Sequence, residues 1–336
     1  MSDKQPNEPA NGVTNHDLTN YGVTISEFGA PEVLTLQAHL PLPQINDNQV
    51  LIETHYAAVN PVDYKTRLGL GWGAEKFKAQ FPAVLGFDAA GVIAQAGSNS
   101  GFQVGERVAV LTFDGGAYSR YFAVNADLVA RVPDGVSLQQ AAALPTAGVT
   151  AYQLVKQADL QAGQKVLVSA AAGGVGHLLI QLLRRLPLEI IAICSPAKQA
   201  YLQTLGVSRF LDYTALQSYP PLAADIFLDL VGGEAGVKAL SAVKDGGRVI
   251  CVPTIHVPLL QQAGESRGLQ VEKILAQPNA ADLSALLALL ARQQLQIEIA
   301  DSYPLSQIQA AHRTLEQGRT QGKIILDLNE KTGRGV

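Results

Sequence analysis

The sequence predicts an α/β protein in which a doubly wound parallel sheet is joined to a compact, barrel-like β domain. Three observations predict it. Lys165 to Leu186, KVLVSAAAGGVGHLLIQLLRRL, passes from a β-branched apolar run through a small-residue elbow into a helical pattern. From Ser137 onward, strand and helix patterns alternate at the pitch of a parallel sheet covered on both faces. Before that, from Tyr21 to about Leu144, the signals are short strands broken by Gly, Pro and Asn turns, the texture of a barrel.

In order, the polar stretch 1–20 reads as a flexible leader; it lacks the apolar core of a signal peptide. Val33 to Leu36 and Val50 to Thr54 read as strands, the second region ending near Val59 before Asn60 to Arg67, NPVDYKTR. Gly69 to Gly73 reads as a glycine-rich loop carrying Trp72, the only tryptophan. Val92 to Ala96, a turn–strand unit from Gly101 to Val110, and Tyr118 to Val124 continue the β pattern to Val132. Ser137 to Leu144 has a capped helix start, and Thr146 to Leu160 a longer helical pattern. The alternating part gives strands at Val166–Ser169, Glu189–Cys194, Phe210–Asp212, Asp225–Asp229 and Arg248–Val252. Helices are expected at Lys198–Leu205 and Ala235–Val243. Ala280–Ala291 and Leu305–Leu315 are amphipathic helices, and Lys323–Leu328 is a closing strand.

The 336 residues exceed one ordinary domain, and a 47% hydrophobic content supports a well-buried core. A net charge of −4 without a basic block argues against nucleic acid or an anionic membrane as partner. No apolar run reaches the length of a membrane span. The two cysteines, Cys194 and Cys251, sit in apolar runs and read as small core residues, which suits a cytoplasmic protein.

The elbow reads A-x-G-x-x-G at Ala171, Gly173 and Gly176, a variant of the dinucleotide fingerprint with its first glycine replaced. Ala171, Ala172, Gly173, Gly174, Val175 and Gly176 are small enough to let backbone N–H groups and a helix N-terminus approach a pyrophosphate. An acidic residue at the end of the second strand would bind the ribose 2′-hydroxyl of NAD. That strand instead runs IAICSPAK, with no acid but with Ser195 as donor and Lys198 as cation, which favours NADPH.

These stretches together resemble the zinc-independent quinone oxidoreductase branch of the medium-chain dehydrogenase/reductase family. The matching segments are NPVDYKTR (60–67), FPAVLGFDAAGVI (81–93), GERVAV (105–110), AAALPTAGVTAY (141–152), SAAAGGVG (169–176) and GKIIL (322–326). The resemblance implies a Rossmann doubly wound parallel sheet inserted in a GroES-like β-barrel catalytic domain. The divisions are then 21–144 for the first catalytic part, 145–276 for the NADP-binding part, and 277–336 for the return. The positions where zinc-dependent relatives hold their metal look like Asn60, Phe87 and Thr146, which offer no thiolate or imidazole. The resemblance also places Asn60, Thr146 and Thr150 near the nicotinamide, Tyr213 near the adenosine phosphate, and a homodimer contact along the last Rossmann strands. That contact is expected at Arg248–Val252 and Ile255–Leu259, as an exposed edge.

Without a Lewis acid, an activated C=C or a quinone is a better hydride acceptor than a saturated alcohol is a donor. Tyr64 is the first candidate proton donor and Lys65 the second, with Asn60 as a hydrogen-bond donor to the substrate carbonyl or the cofactor. Asp63 is placed to orient its neighbours by hydrogen bonding, and suits an N-cap role equally well. Two alternatives stay open. One is an enoyl thioester reductase with a basic mouth from Lys65, Arg67, Lys76 and Lys78; the other is a non-enzymatic NADPH-binding sensor. The lone histidines are expected to be structural.

Overall fold

The computed structural model describes residues 18–215 and 218–329. Most of the expected leader, residues 1–17, lies outside them. The first part of the chain forms β1 (Asn20–Ile25), β2 (Thr35–Leu40), β3 (Gln49–Val59), α1 (Pro61–Arg67), α2 (Gly71–Lys78), β4 (Ala83–Val84), β5 (Asp88–Ala96), β6 (Arg107–Leu111), β7 (Tyr121–Asn125) and β8 (Val129–Arg131). The middle forms α3 (Leu138–Ala143), α4 (Pro145–Ala158), β9 (Lys165–Val168), α5 (Gly176–Leu183), β10 (Glu189–Cys194), α6 (Pro196–Thr204), β11 (Arg209–Asp212), β12 (Ala224–Asp229), α7 (Gly233–Ala239), β13 (Val243–Cys251), α8 (Val257–Gly264) and β14 (Gln270–Lys273). The chain ends through α9 (Ala280–Ala291), β15 (Ile299–Pro304), α10 (Ile308–Glu316) and β16 (Lys323–Asp327).

One sheet is wholly parallel, in the order β11-β10-β9-β12-β13-β14. Its strands read as continuous apolar runs because both faces are covered. On β9, Val166 and Val168 join the core that holds Leu178 and Leu182 of α5. Leu167 between them joins a second core with Phe227, Val249 and Leu260. The other large sheet runs β15-β16-β3-β5-β6-β8, with β7 also on β3. Strand β16 pairs antiparallel with β3 and parallel with β15, so the last described strands close the sheet begun by residues 49–131. Strands β2-β1-β4 form a small third sheet. Among the described residues no helix is long and apolar enough to cross a membrane.

The structure corrects four local expectations. Val33–Leu36 is a 3₁₀ turn over Pro31–Val33 followed by β2, since Pro31 starts the turn and cannot donate to a ladder. The loop expected at Gly69–Gly73 becomes the start of α2. Gly69 and Gly71 take positive φ to make the entry turn, and Phe77 is buried on the helix. Ile255–Leu259 is not a strand; it is a 3₁₀ turn leading into α8, which begins with a proline in its first turn. Arg248–Val252 is not an edge, because β14, a four-residue strand of mixed polarity, pairs with β13 and takes the edge itself.

Candidate active site

Strand β9 delivers the elbow. Ala170 takes a left-handed φ of 46°, turning the chain sharply towards α5. A Cβ on Gly176 would overlap the Ala170 carbonyl oxygen, so the third small position of the fingerprint must be glycine. The first turn of α5 has no side-chain cap at Val175, although its His177 N–H is taken by the Gly173 carbonyl at 3.0 Å. The elbow is also tied to β16: Gly322 donates to the Ala172 carbonyl at 3.0 Å, and a Cβ on Gly174 would lie 3.1 Å from Cδ of Lys323. His177 is fully buried, with Nδ1 2.9 Å from the Gly173 carbonyl and Nε2 accepting from the Glu298 N–H at 3.3 Å. It clamps the elbow to the Glu298 backbone.

Beside the elbow, Cys194 pairs with Asp212 across β10 and β11. The residues that follow these strands, Ser195 and Tyr213, therefore emerge at one end of the sheet. Ser195 caps α6 without a side-chain hydrogen bond to it, and Lys198 lies in its first turn. Tyr213 is exposed. Ser195, Lys198 and Tyr213 thus stand where the strand order leads outward from the elbow.

Between the two large sheets lies a cavity of about 210 Å³. Asn60, Lys65, Thr146, Thr150 and Val175, five of the candidate residues, line it. An aromatic wall faces them: Trp72 lies 4.5 Å from Phe113 and 5.7 Å from Phe87, centroid to centroid. Leu230, Ile255, Ile274 and Leu275 complete the apolar side. Lys65 is the only ionisable side chain in the lining. It has no ion-pair partner among the described residues, and burial lowers the pKa of its ammonium. The lining contains no His, Cys, Asp or Glu, and no group of three such residues among those described could hold a metal ion. A zinc ion does not fit this donor set.

Behind Asn60 and Thr146 sits a polar cluster of which only Asp63 had a role legible in the sequence, at the cap of α1. Asp63, Asp88 and Lys323 are buried there. Asn60 donates from Nδ2 to Asp88 Oδ2 at 2.9 Å and weakly to the Ala58 carbonyl at 3.5 Å. Its Oδ1 accepts from Lys323 Nζ. Thr146 donates its backbone N–H and its hydroxyl to Asp88 Oδ1, at 2.8 and 2.5 Å. Asp63 accepts from the Asn60 N–H at 2.7 Å, completing a capping box at the start of α1. Burial pushes the Asp63 carboxyl up to about 7, with Asp88 adding repulsion and Lys323 opposing it. Asp88 and Lys323 fall within the family-like segments 81–93 and 322–326, but their partners lie far away in sequence, so no local spacing signals the cluster. Asp229 was missed for the same reason: it holds Ser169 Oγ and the N–H groups of Val231 and Gly232, shaping the loop that presents Leu230.

Three candidates stand elsewhere. Tyr64 does not line the cavity; burial raises the pKa of its hydroxyl, and its charged neighbour is Glu316 of α10. Arg67 is fully buried and bound to Glu316 and the Gly29 carbonyl, and Lys76 pairs with Asp114. The basic mouth expected of an enoyl thioester reductase therefore lacks two of its four members.

Residues 46–134 match the family described as alcohol dehydrogenase GroES-like domain, and residues 205–326 the one described as zinc-binding dehydrogenase. The chain is 32% identical to a 2-methylene-furan-3-one reductase of Solanum lycopersicum, over 90% of this chain and 77% of that protein. It is 30% identical to an NADPH-dependent alkenal/one oxidoreductase of Arabidopsis thaliana, over 90% and 78%. Its fold superposes on the structure of the quinone oxidoreductase from Coxiella burnetii with a TM-score of 0.87 and 33% identity, covering 93% of this chain and all of that one.

Proposed function

The chain belongs to the quinone oxidoreductase branch of the medium-chain dehydrogenase/reductase family, and from that premise we propose that it reduces quinones or α,β-unsaturated carbonyls with NADPH, without zinc. One observation carries the reading: the cavity is a flat, mostly apolar slot with a single cation, Lys65, and no metal-binding side chain. Such a slot suits a neutral conjugated acceptor that needs positioning and one charge partner for the oxyanion formed on reduction.

The residues fit the dinucleotide. Ala171 to Gly176 offer the uncapped helix start to its pyrophosphate, while Ser195, Lys198 and Tyr213 stand at the sheet edge for its 2′-phosphate. Thr146 and Thr150 flank the nicotinamide side of the cavity. When bound, NADPH supplies a hydride. Lys65 then faces the developing oxyanion, and the aromatic wall of Trp72, Phe87 and Phe113 holds a planar acceptor and excludes water. Asn60 has its amide hydrogens engaged by Asp88 and Ala58, so it shapes the wall from behind. The partners are a small-molecule quinone or enone and, along the β14 edge, a second copy of the chain. The two free, buried thiols, Cys194 and Cys251, support a reducing cytoplasmic location, which fractionation would check.

The test is NADPH oxidation, followed by absorbance, with a short enone and a naphthoquinone in the presence of EDTA. Turnover indifferent to EDTA is expected. Silence with every acceptor, or loss of activity on chelation, would overturn the reading.

A further inference from the structure

The cluster behind the cavity holds two carboxyls and one ammonium, all buried. Fully ionised, it would keep an uncompensated negative charge away from water, so it holds a proton instead. Burial raises both carboxyls and lowers Lys323, which is what such sharing produces. The cluster reaches the cavity through two residues, Asn60 and Thr146. Asn60 cannot pass a proton on, because both ends of its amide are engaged. The Thr146 hydroxyl can, because a protonated Asp88 reverses the contact: the carboxyl then donates to Oγ1 and frees the hydroxyl hydrogen, which otherwise goes to Asp88, for the slot. The hydroxyl lies 2.5 Å from Asp88 Oδ1, is held in register by its own backbone N–H on the same oxygen, and lines the slot.

We propose that the Thr146 hydroxyl delivers the proton that completes reduction, drawing on the Asp88 carboxyl with Lys323 and Asp63 as the reserve. The proposal rests on the reductase reading above. After hydride transfer the acceptor anion takes the Thr146 Oγ1 proton, and that oxygen takes one from the Asp88 carboxyl in the same step. Asp88 is left as a carboxylate beside the Lys323 ammonium, and solvent water restores the proton between turnovers. No further oxidant or reductant is required. Lys65 stays charged throughout as the oxyanion's partner. The groups facing the cluster are Asn60, Asp63 and Arg67 from α1, Thr146 from α4, Lys323 from β16, Tyr118 ahead of β7, and His177 from α5. Since the cluster must be loaded to deliver, the rate falls as pH rises through the titration of its raised carboxyls, of which Asp63 is pushed up to about 7.

The experiment compares Thr146→Val, Thr146→Ser and Lys65→Met in the full chain on two acceptors. One is an enone, whose reduced anion is strongly basic; the other is a chlorinated benzoquinone, whose reduced anion needs little help from an acid. Thr146→Val should lower kcat on the enone by roughly 10²-fold, the size of a lost general acid. It should also abolish the fall near pH 7 and slow the chlorinated quinone far less. Thr146→Ser should restore rate and pH profile. Equal slowing of both acceptors, a retained pH limb, or a limb removed by Lys65→Met alone would overturn the relay while leaving the reductase reading intact. A wild-type chain that oxidises no NADPH would defeat both.

Discussion

His312 carries a cost that depends on pH. It is fully buried in α10, neither ring nitrogen has a hydrogen-bond partner, and its ring meets Tyr118 edge-on at 6.0 Å. Burial, helped by the nearby Arg67 guanidinium, lowers its pKa to about 3. The native value lies below the unfolded value of about 6.5. The neutral ring therefore costs nothing above pH 6.5, and stability is lost as pH falls from there towards 3. The loss approaches ~1.4 kcal/mol per pH unit for one group. His177, lowered to about 4, acts with the same sign. Asp63 acts oppositely: its raised carboxyl leaves stability intact below about pH 4 and removes it as pH rises through about 7. A stability maximum between these limbs follows. His312→Leu keeps the buried volume apolar and removes one titrating group, so its Tm should fall less than that of the wild type between pH 6.5 and 4.5. Parallel curves would show that His312 does not set the acid limb. The histidines could be read as structural from sequence because each stands alone. The carboxylates could not, since Asp63 and Asp88 meet only after residues 28 to 263 positions away fold onto them.

Strands and helices with a strong period were legible; short elements of mixed polarity were not. Glu189–Cys194 and Ala280–Ala291 fall where their patterns put them. Helix α2 was hidden by its opening glycines, although the spacing of Trp72, Phe77 and their ring partners holds it down. Strand β14, QVEK, has too little alternation to announce itself, yet it takes the sheet edge that was expected at β13. It is the last strand of the six-stranded sheet, with the Val271 carbonyl taken by Gln261, and two-fold pairing along its free side would continue that sheet across the pair. Light scattering should therefore give a dimer at micromolar concentration. Val271→Pro, which removes one N–H from this edge strand, should shift the population towards monomer. A monomeric wild type, or a dimer indifferent to Val271→Pro, would move the contact elsewhere or remove it.

At the scale of the molecule, the elbow proposed for the cofactor and the sheet proposed to carry the reaction belong to separate layers. The joint is β16. Gly322 donates to Ala172 in the elbow, Lys323 rests its stem on Gly174 and its ammonium on Asn60, and the strand then pairs with β3. The motif GKIIL was visible in the sequence, but its place between the two layers was not, because every partner is remote in the chain. Gly322 has a φ of 73°, and a Cβ there would overlap the Glu298 carbonyl oxygen. Gly318 has a similar φ of 67°, and a methyl added there would have nothing within 4 Å. Alanine at either position pays the same left-handed penalty of ~1–2 kcal/mol. Only at Gly322 must backbone also shift, and the shift falls on the joint. Gly322→Ala should therefore weaken NADPH binding, measured by fluorescence titration, and lower Tm beyond the loss caused by Gly318→Ala. Gly318→Ala should lower Tm alone. Equal NADPH affinity in the two variants would mean that the elbow holds its shape without β16, and that the two layers bind cofactor and substrate independently.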